Sequence, residues 1–398
     1  MKKLDRKCPI CGSMYGEPLR KIRMKLPDKT PIPDSYTVVA CKKCGFCFAD
    51  MIATQQDYDL YYKNCNMYSG SAKLKSKITS RACEIRYKII RKYIGKDEKI
   101  LDIGCGDGSF LMFLKEHGYY NIHGMDPSNQ SIAELKKKGI DGQTGSAFDD
   151  NKKELEGKFD VVTFTAVIEH IYDLEHVIKH LSRYLNETGK IFIDAPAVEG
   201  FEKYITPVPN YFNQEHINYF SIQSLDNLFL KDGFGRLNTL QEVYSLIEAT
   251  SKNEPEMCLQ AIYQRYADNW ERRINVDKVS CGSVKSYFKC VDEQTSDVDR
   301  KISKLLEKNN KVIIWGTGSY TMQLLEEIPE LKSQIAYFVD NNPMKQGISL
   351  CNREVVAPEY IKSNSDQYPI IICSMLNGKE IVEQIREMEI PNAYMTIS

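Results

Sequence analysis

Residues 99–110 read KILDIGCGDGSF, and the rest of the chain is understood outward from this stretch. A short apolar run carries one acid, Asp102, and leads into Gly104, Gly106 and Gly108 before Ser109 and Phe110. Such a run, bounded by glycines, predicts a buried strand that ends on an acid and turns at once into a helix. Glycines there let the backbone approach a ligand, and open α/β sheets bind theirs at the carboxyl ends of strands. The spacing is G-x-G-x-G where a dinucleotide fingerprint wants G-x-G-x-x-G, which favours another ligand and leaves a dinucleotide as the rival.

Upstream, residues 71–94 repeat apolar positions at helical spacing and predict a helix feeding this strand. Downstream to about residue 245, apolar runs (NIHGM, FDVVTFT, GKIFIDAP) alternate with amphipathic segments such as SIAELKKKG and LEHVIKHLSRYL. That alternation predicts a mostly parallel sheet with helices on both faces. Residues 246–308 show no strand-like run and read as a helical connector. At KVIIWGTGS a second strand-glycine-helix unit begins. The expected organisation is a cysteine-bearing lobe over 1–70, a ligand-binding core over 71–245, the connector over 246–308 and a smaller Rossmann-like lobe over 309–398.

Five of the thirteen cysteines lie between residues 8 and 47, four of them as the pairs CPIC (Cys8, Cys11) and CKKC (Cys41, Cys44). Two C-x2-C pairs suit a closed tetrahedral zinc site that folds a lobe too small for a core of its own. Incidental reduced thiols are the bland reading, and Cys47 is an alternative fourth ligand to Cys44. Lysine and arginine total 53 against 54 aspartates and glutamates, without long blocks of one sign, which argues against nucleic acid or a membrane surface as the main partner. A small-molecule ligand is expected. The first residues lack an apolar segment behind their basic ones, and no apolar run of about 18 residues is found, so a cytoplasmic protein is expected.

Across residues 75–245 the sequence resembles the class I S-adenosylmethionine-dependent methyltransferases. The resemblance implies that Asp102, Gly104, Gly106 and Gly108 lie against the methionine part of the cofactor. It implies that Asp126, in HGMDPS, binds the ribose hydroxyls. GSAFDD (145–150) would flank the adenine, with Phe148 or Ala147 on the ring and Asp149 near its amine, and TAVIEHI (165–171) would wall the pocket, with Glu169 and His170 close to the cofactor edge.

The whole chain further resembles the sugar C-methyltransferases of deoxysugar pathways, which carry a zinc lobe, a methyltransferase core and a Rossmann-like lobe with a phrase much like VDNNPMKQG (339–347). In that group a Tyr-x-Glu-His segment supplies the base that deprotonates carbon beside a keto group. Here it implies His216 as base and Glu215 as the group that orients it or the sugar, with the Glu215 carboxylate raising the imidazole's pKa. Asn213 stands where the group has its tyrosine, Tyr219 is taken as a candidate catalytic residue in its place with Tyr211 as a further candidate, and YSLIEA (244–249) replaces a glycine- and arginine-containing stretch. The implied fold is an α/β, Rossmann-like methyltransferase core between the two lobes, and the implied acceptor is a nucleotide-linked sugar.

Alternatives stay open. The same base could serve an O-methyltransferase, and a non-catalytic nucleotide-binding or scaffold protein is the rival of another class. GTGSYT with Asp340 loosely fits a dinucleotide-binding unit in the second lobe, which leaves a nicotinamide-dependent activity there as a competitor. His176 and His180, at i and i+4 on one helix, are read as a partly solvated face rather than metal ligands.

Overall fold

The computed structural model describes residues 2–24, 26, 30–64, 72–203, 211–237, 246–249, 257–266, 273–364, 366–374 and 377–397. The chain divides into two compact units. The first holds Met1–Ile22, Pro27–Lys203 and Gln214–Val284, and the second Arg23–Leu26, Tyr204–Asn213 and Lys285–Ser398.

In the first unit the cysteine-bearing segment forms strands β1 (Lys2–Lys3), β2 (Tyr15–Arg23), β3 (Ser35–Cys41) and β4 (Cys47–Asp50), followed by helix α1 (Gln55–Asn64). Each CxxC closes through a glycine in the left-handed region: Gly12 N donates to Cys8 O (2.8 Å) and Gly45 N to Cys41 O (2.9 Å), at φ of 70° and 82°. Gly45 is also required sterically, since a Cβ there would stand 2.0 Å from the carbonyl oxygen of Asp277.

The core follows as α2 (Ala72–Tyr93), β5 (Ile100–Ile103), α3 (Ser109–Glu116), β6 (Ile122–Asp126), α4 (Asn129–Lys137), β7 (Asp141–Thr144), β8 (Phe159–Thr165), α5 (Leu174–Ser182) and β9 (Leu185–Pro196). After these come β10 (Asn218–Tyr219), α6 (Ile222–Leu230), β11 (Phe234–Arg236), β12 (Leu246–Ala249) and β13 (Met257–Arg265). The sheet runs β11-β13-β9-β8-β5-β6-β7, with β12 on β13. It is parallel from β9 to β7, and β13 is antiparallel to β9. Apolar positions of α3 and α4 (Leu111, Leu114, Ile132, Leu135) bury against sheet residues Ile100, Val161, Phe192 and Ile262. This is the mixed α/β, Rossmann-like fold the alternating sequence predicts.

One expectation is corrected. The stretch 246–308 is not a helical connector throughout: β13 lies buried in the sheet, and helix begins only at α7 (Ser280–Lys308). MCLQAIYQR is almost continuously apolar because both faces of the strand are covered, so neither period 2 nor period 3.6 emerges from its sequence. The replacement stretch YSLIEA lies partly outside the described residues, which take it up at β12.

β10, two residues long, does not join the core sheet. It pairs antiparallel with β4, Asn218 opposite Phe48 and Tyr219 opposite Cys47, and so completes the five-stranded sheet β1-β2-β3-β4-β10.

The second unit is built on β14 (Val312–Trp315), β15 (Ile335–Val339), β16 (Ser349–Leu350), β17 (Arg353–Val356), β18 (Ile370–Ile372) and β19 (Tyr394–Thr396), ordered β16-β17-β15-β14-β18-β19. All of its pairings are parallel except β16 with β17. Among the described residues, no helix in either unit is long and apolar enough to cross a membrane.

Candidate active site

The turn after β5 carries three glycines with positive φ: Gly104 at 77°, Gly106 at 53° and Gly108 at 75°. Two of them are forced by packing. A Cβ on Gly104 would meet Val167 Cγ2 at 2.5 Å, and one on Gly108 would meet Leu135 Cδ1 at 2.2 Å. Gly106 differs, because no atom of the described residues lies within 4 Å of its would-be Cβ. Its open side is therefore where a ligand can come against the backbone.

Two carboxylates flank this turn. Asp126, at the end of β6, accepts from Gly106 N (2.9 Å) through one oxygen and from Ser128 N (2.9 Å) through the other, so it also holds the turn in shape. Asp102, at the end of β5, accepts from Thr163 Oγ1 (2.7 Å), and its second oxygen is buried with no hydrogen-bond partner among the described residues. Burial pushes the Asp102 carboxyl up to about 7, against the opposing pull of Thr163 and Arg86.

The sequence reading missed Arg86. From α2 its Nε reaches Asp194 Oδ2 at the end of β9 (2.6 Å), and its guanidinium lies 5.5 Å over the Phe110 ring. One arginine among three on a lysine-rich helix carries no sequence signal of its own. Phe148 is half-buried beside the ring of His180 (4.9 Å), Ala147 is buried, and Asp149 accepts from Ser146 N (3.1 Å). His176 is exposed and bonded to Asp173, as a solvated helix face requires.

A second cluster forms after β8. Ala166 takes φ 54°, left-handed for a residue with a Cβ, and donates its N–H to Asp194 O (2.8 Å). The chain then turns so that Glu169 and His170 face the 215–216 loop. One donor atom from each of Glu169, His170 and His216 lies within 4.8 Å of the others, and the two imidazole rings meet edge to face at 4.8 Å. The two Glu-His pairs, 46 residues apart in the chain, are thus brought together.

Helix α1 supplies partners that sequence reasoning did not single out. Tyr61 Oη donates to Glu215 Oε1 (2.8 Å), and Tyr62 Oη lies 2.9 Å from His170 Nδ1. The Glu215 carboxylate is thus engaged by a phenol, and its own pKa is raised by burial. The expected upward shift of His216 is not found: burial brings its imidazole down to about 4. His170 is brought down to about 3, by burial and then by His216. Desolvation of the charged ring is the leading cause for both histidines.

Tyr219 is fully buried, with its hydroxyl donating to Tyr36 in β3 (3.1 Å), which gives it a packing position in the cysteine lobe's sheet. Tyr211 belongs to the second unit, where its ring is 5.8 Å from that of Tyr287. The cysteine lobe also fastens the cluster. Ile217 donates to Glu169 O (3.0 Å) and accepts from Ala49 N (2.9 Å), while Asn218 Nδ2 donates to Ile171 O (2.7 Å) and Glu169 O (3.2 Å). The buried Arg6 guanidinium bonds Asn218 Oδ1 (3.2 Å) and the carbonyl of Tyr172.

A family model described as a methyltransferase domain matches residues 75–237. Residues 75–237 are a class I S-adenosylmethionine-dependent methyltransferase domain. A second model, described as C2185-like, N-terminal, matches residues 308–395. Curated relatives include the tRNA U34 carboxymethyltransferases of Sulfurimonas denitrificans, 28% identical over 39% of this chain and 55% of theirs, and of Nautilia profundicola, 24% identical over 43% of this chain and 59% of theirs. The chain thus spans somewhat over half the length of the curated relatives it matches. Similar solved structures include an S-adenosylmethionine-dependent methyltransferase of Thermotoga maritima (19% identical, 49% of this chain and 94% of that one, TM-score 0.39). Another is the 1,6-didemethyltoxoflavin-N1-methyltransferase of Burkholderia thailandensis (12% identical, 61% of this chain and 99% of that one, TM-score 0.41).

Three features of the methyltransferase domain fit its cofactor: the open side of Gly106, the buried oxygen of Asp102 that has no partner among the described residues, and Asp126 at the end of the neighbouring strand. The cysteine set fits a metal. Cys8 Sγ is 3.6 Å from Cys44 Sγ and Cys11 Sγ 3.4 Å from Cys41 Sγ, close to the ~3.8 Å between sulfurs placed ~2.3 Å from one tetrahedral ion. Cys47 lies outside this set, buried in β4.

In the second unit, Thr317 donates through its N–H (2.9 Å) and hydroxyl (2.5 Å) to one oxygen of Asp340, and Asn342 N donates to the other (2.9 Å). Lys345 Nζ stands 3.3 Å from the same carboxylate.

Proposed function

We propose that this protein transfers a methyl group from S-adenosylmethionine to a small-molecule acceptor, a nucleotide-linked sugar being the first choice. The observation that carries the reading is the convergence of Glu169–His170 and Glu215–His216, two pairs from different loops, on one cluster beside the glycine turn's partner segment. Bound S-adenosylmethionine supplies an activated methyl on a sulfonium. The chain's own tasks are then to align the acceptor and to remove one proton. His216 takes the proton from the acceptor, and Glu215, held by Tyr61, orients the acceptor or the ring. Asp126 binds the ribose hydroxyls and Asp102 faces the cationic methionine part. Four thiolates, Cys8, Cys11, Cys41 and Cys44, hold a structural zinc.

A second reading is a tRNA acceptor, favoured by the names of the curated relatives. The near-neutral charge balance stands against it, because phosphate backbones are bound through excess Lys and Arg.

Incubation with methyl-labelled S-adenosylmethionine, a panel of nucleotide-linked keto and hydroxy sugars, and bulk tRNA distinguishes the readings, and the labelled atom separates carbon from oxygen products. His216→Ala should lower turnover by about 10²–10⁴-fold while leaving cofactor affinity nearly intact. A folded variant with wild-type turnover would remove His216 as base.

A further inference from the structure

The Glu169–His170–His216 cluster has a feature that base catalysis alone does not use. His170 Nδ1 lies 3.0 Å from the backbone carbonyl of Glu215 and 2.9 Å from Tyr62 Oη; the carbonyl only accepts and the phenol oxygen can accept as well as donate, so a ring hydrogen on Nδ1 is the arrangement that suits both neighbours. The other nitrogen, Nε2, then presents a lone pair, and it faces Glu169 Oε1 at 3.7 Å. A nitrogen lone pair and a carboxylate oxygen thus face the same small volume. An imidazole whose far nitrogen is fixed by a backbone carbonyl is the usual outer-shell arrangement of a metal-ligating histidine.

The third member, His216, brings another ring nitrogen to the same point, within 4.8 Å of the other two donor atoms. Ligands ~2.1 Å from one tetrahedral ion stand ~3.4 Å apart, so the Glu169–His170 pair already has nearly that separation, and a shift of about an ångström closes the set. We propose that Glu169, His170 and His216 bind a divalent transition-metal cation, at a site separate from the four cysteines. Two imidazoles and one carboxylate favour Zn²⁺, Fe²⁺, Co²⁺ or Mn²⁺ over calcium, and three protein ligands leave positions open for a water or an acceptor oxygen.

The consequence for the reaction rests on the methyl-transfer reading. A ring nitrogen that coordinates a cation has no lone pair for a proton, so the metal-bound form and the His216-base form exclude each other. Metal availability would then set which form of the site is present.

The test is Co²⁺ titration of the zinc-loaded protein, followed by visible absorption and calorimetry. The expected result is one further equivalent whose spectrum lacks a thiolate-to-cobalt band, since the ligands are nitrogen and oxygen. Glu169→Gln and His170→Gln should each weaken that equivalent by at least tenfold, and His176→Ala, on the solvated face of α5, should leave it unchanged. No further equivalent in the folded wild type, a thiolate band, or loss of the equivalent only in the His176 variant would overturn the site. S-adenosylmethionine affinity measured in parallel keeps the two readings apart. A protein that binds the cofactor but no second metal loses only this proposal, whereas one that binds the second metal but no cofactor loses the transfer reading and keeps the site.

Discussion

Asp102 is a carboxyl placed where burial disfavours its charge, and its titration is readable in two ways. Its folded pKa is raised to about 7 from an ordinary value of 3.8. The stability it contributes is therefore fully present below pH 3.8 and is lost as pH rises through about 7, on the order of 4 kcal/mol in all. Denaturant midpoints of the cofactor-free protein should fall across that window, and Asp102→Asn should flatten the curve. Cofactor affinity should run the other way, because a cationic ligand favours the ionised carboxyl: binding tightens up to and just beyond pH 7 in the wild type and not in the variant. The glycine turn offers a paired comparison at the same scale. Gly106→Ala keeps its open side but sits at φ 53°, so it should lose about 1–2 kcal/mol of stability and at least tenfold in cofactor affinity. Gly104→Ala must displace Val167 and should show the larger drop in melting temperature.

At the scale of elements, α2 and β9 are joined through the Arg86–Asp194 pair, whose aspartate is almost completely buried. Removing one partner strands a buried charge, so Arg86→Met should cost about 3–5 kcal/mol, while Arg86→Met with Asp194→Asn should recover much of it. A double-mutant cycle in urea checks this. The same elements show what the sequence could reveal. Strand β5 and its glycine turn were legible because a short apolar run meeting three glycines has few other uses, and Asp126, implied by the methyltransferase resemblance, does end the next strand, β6. β13 was hidden because a strand covered on both faces has no period. Arg86, Tyr61, Tyr62 and Asn218 were hidden for another reason: each acts on a partner more than 45 residues away, a pairing that only the folded chain defines. The pKa of His216 was not legible: the sequence reading had Glu215 raise it, whereas burial, which only the folded chain defines, lowers it.

At the scale of the molecule, the cysteine lobe is part of the site's frame, because β10 leaves the His216 loop and pairs with β4. Chelation, or Cys8→Ser with Cys41→Ser, should remove one zinc per chain and reduce methyl transfer by at least a hundredfold. Cofactor affinity should change by less than about fivefold, since the glycine turn, Asp102 and Asp126 belong to the core sheet. Metal analysis, turnover and calorimetry on the same sample test the separation. An unchanged fold and metal content in the double variant would remove the zinc. The pairing of β10 with β4 also bears on how the chain is made. The lobe's first four strands have been synthesised by Asp50, yet the fifth begins only at Asn218. At ~5–20 residues per second the ribosome needs roughly ten to thirty seconds to add the intervening residues. During that interval β4 presents an unpaired edge of four buried-type residues, Cys-Phe-Ala-Asp, to whatever the nascent chain meets. A lobe that emerges before the core is therefore completed only after most of that core has been made.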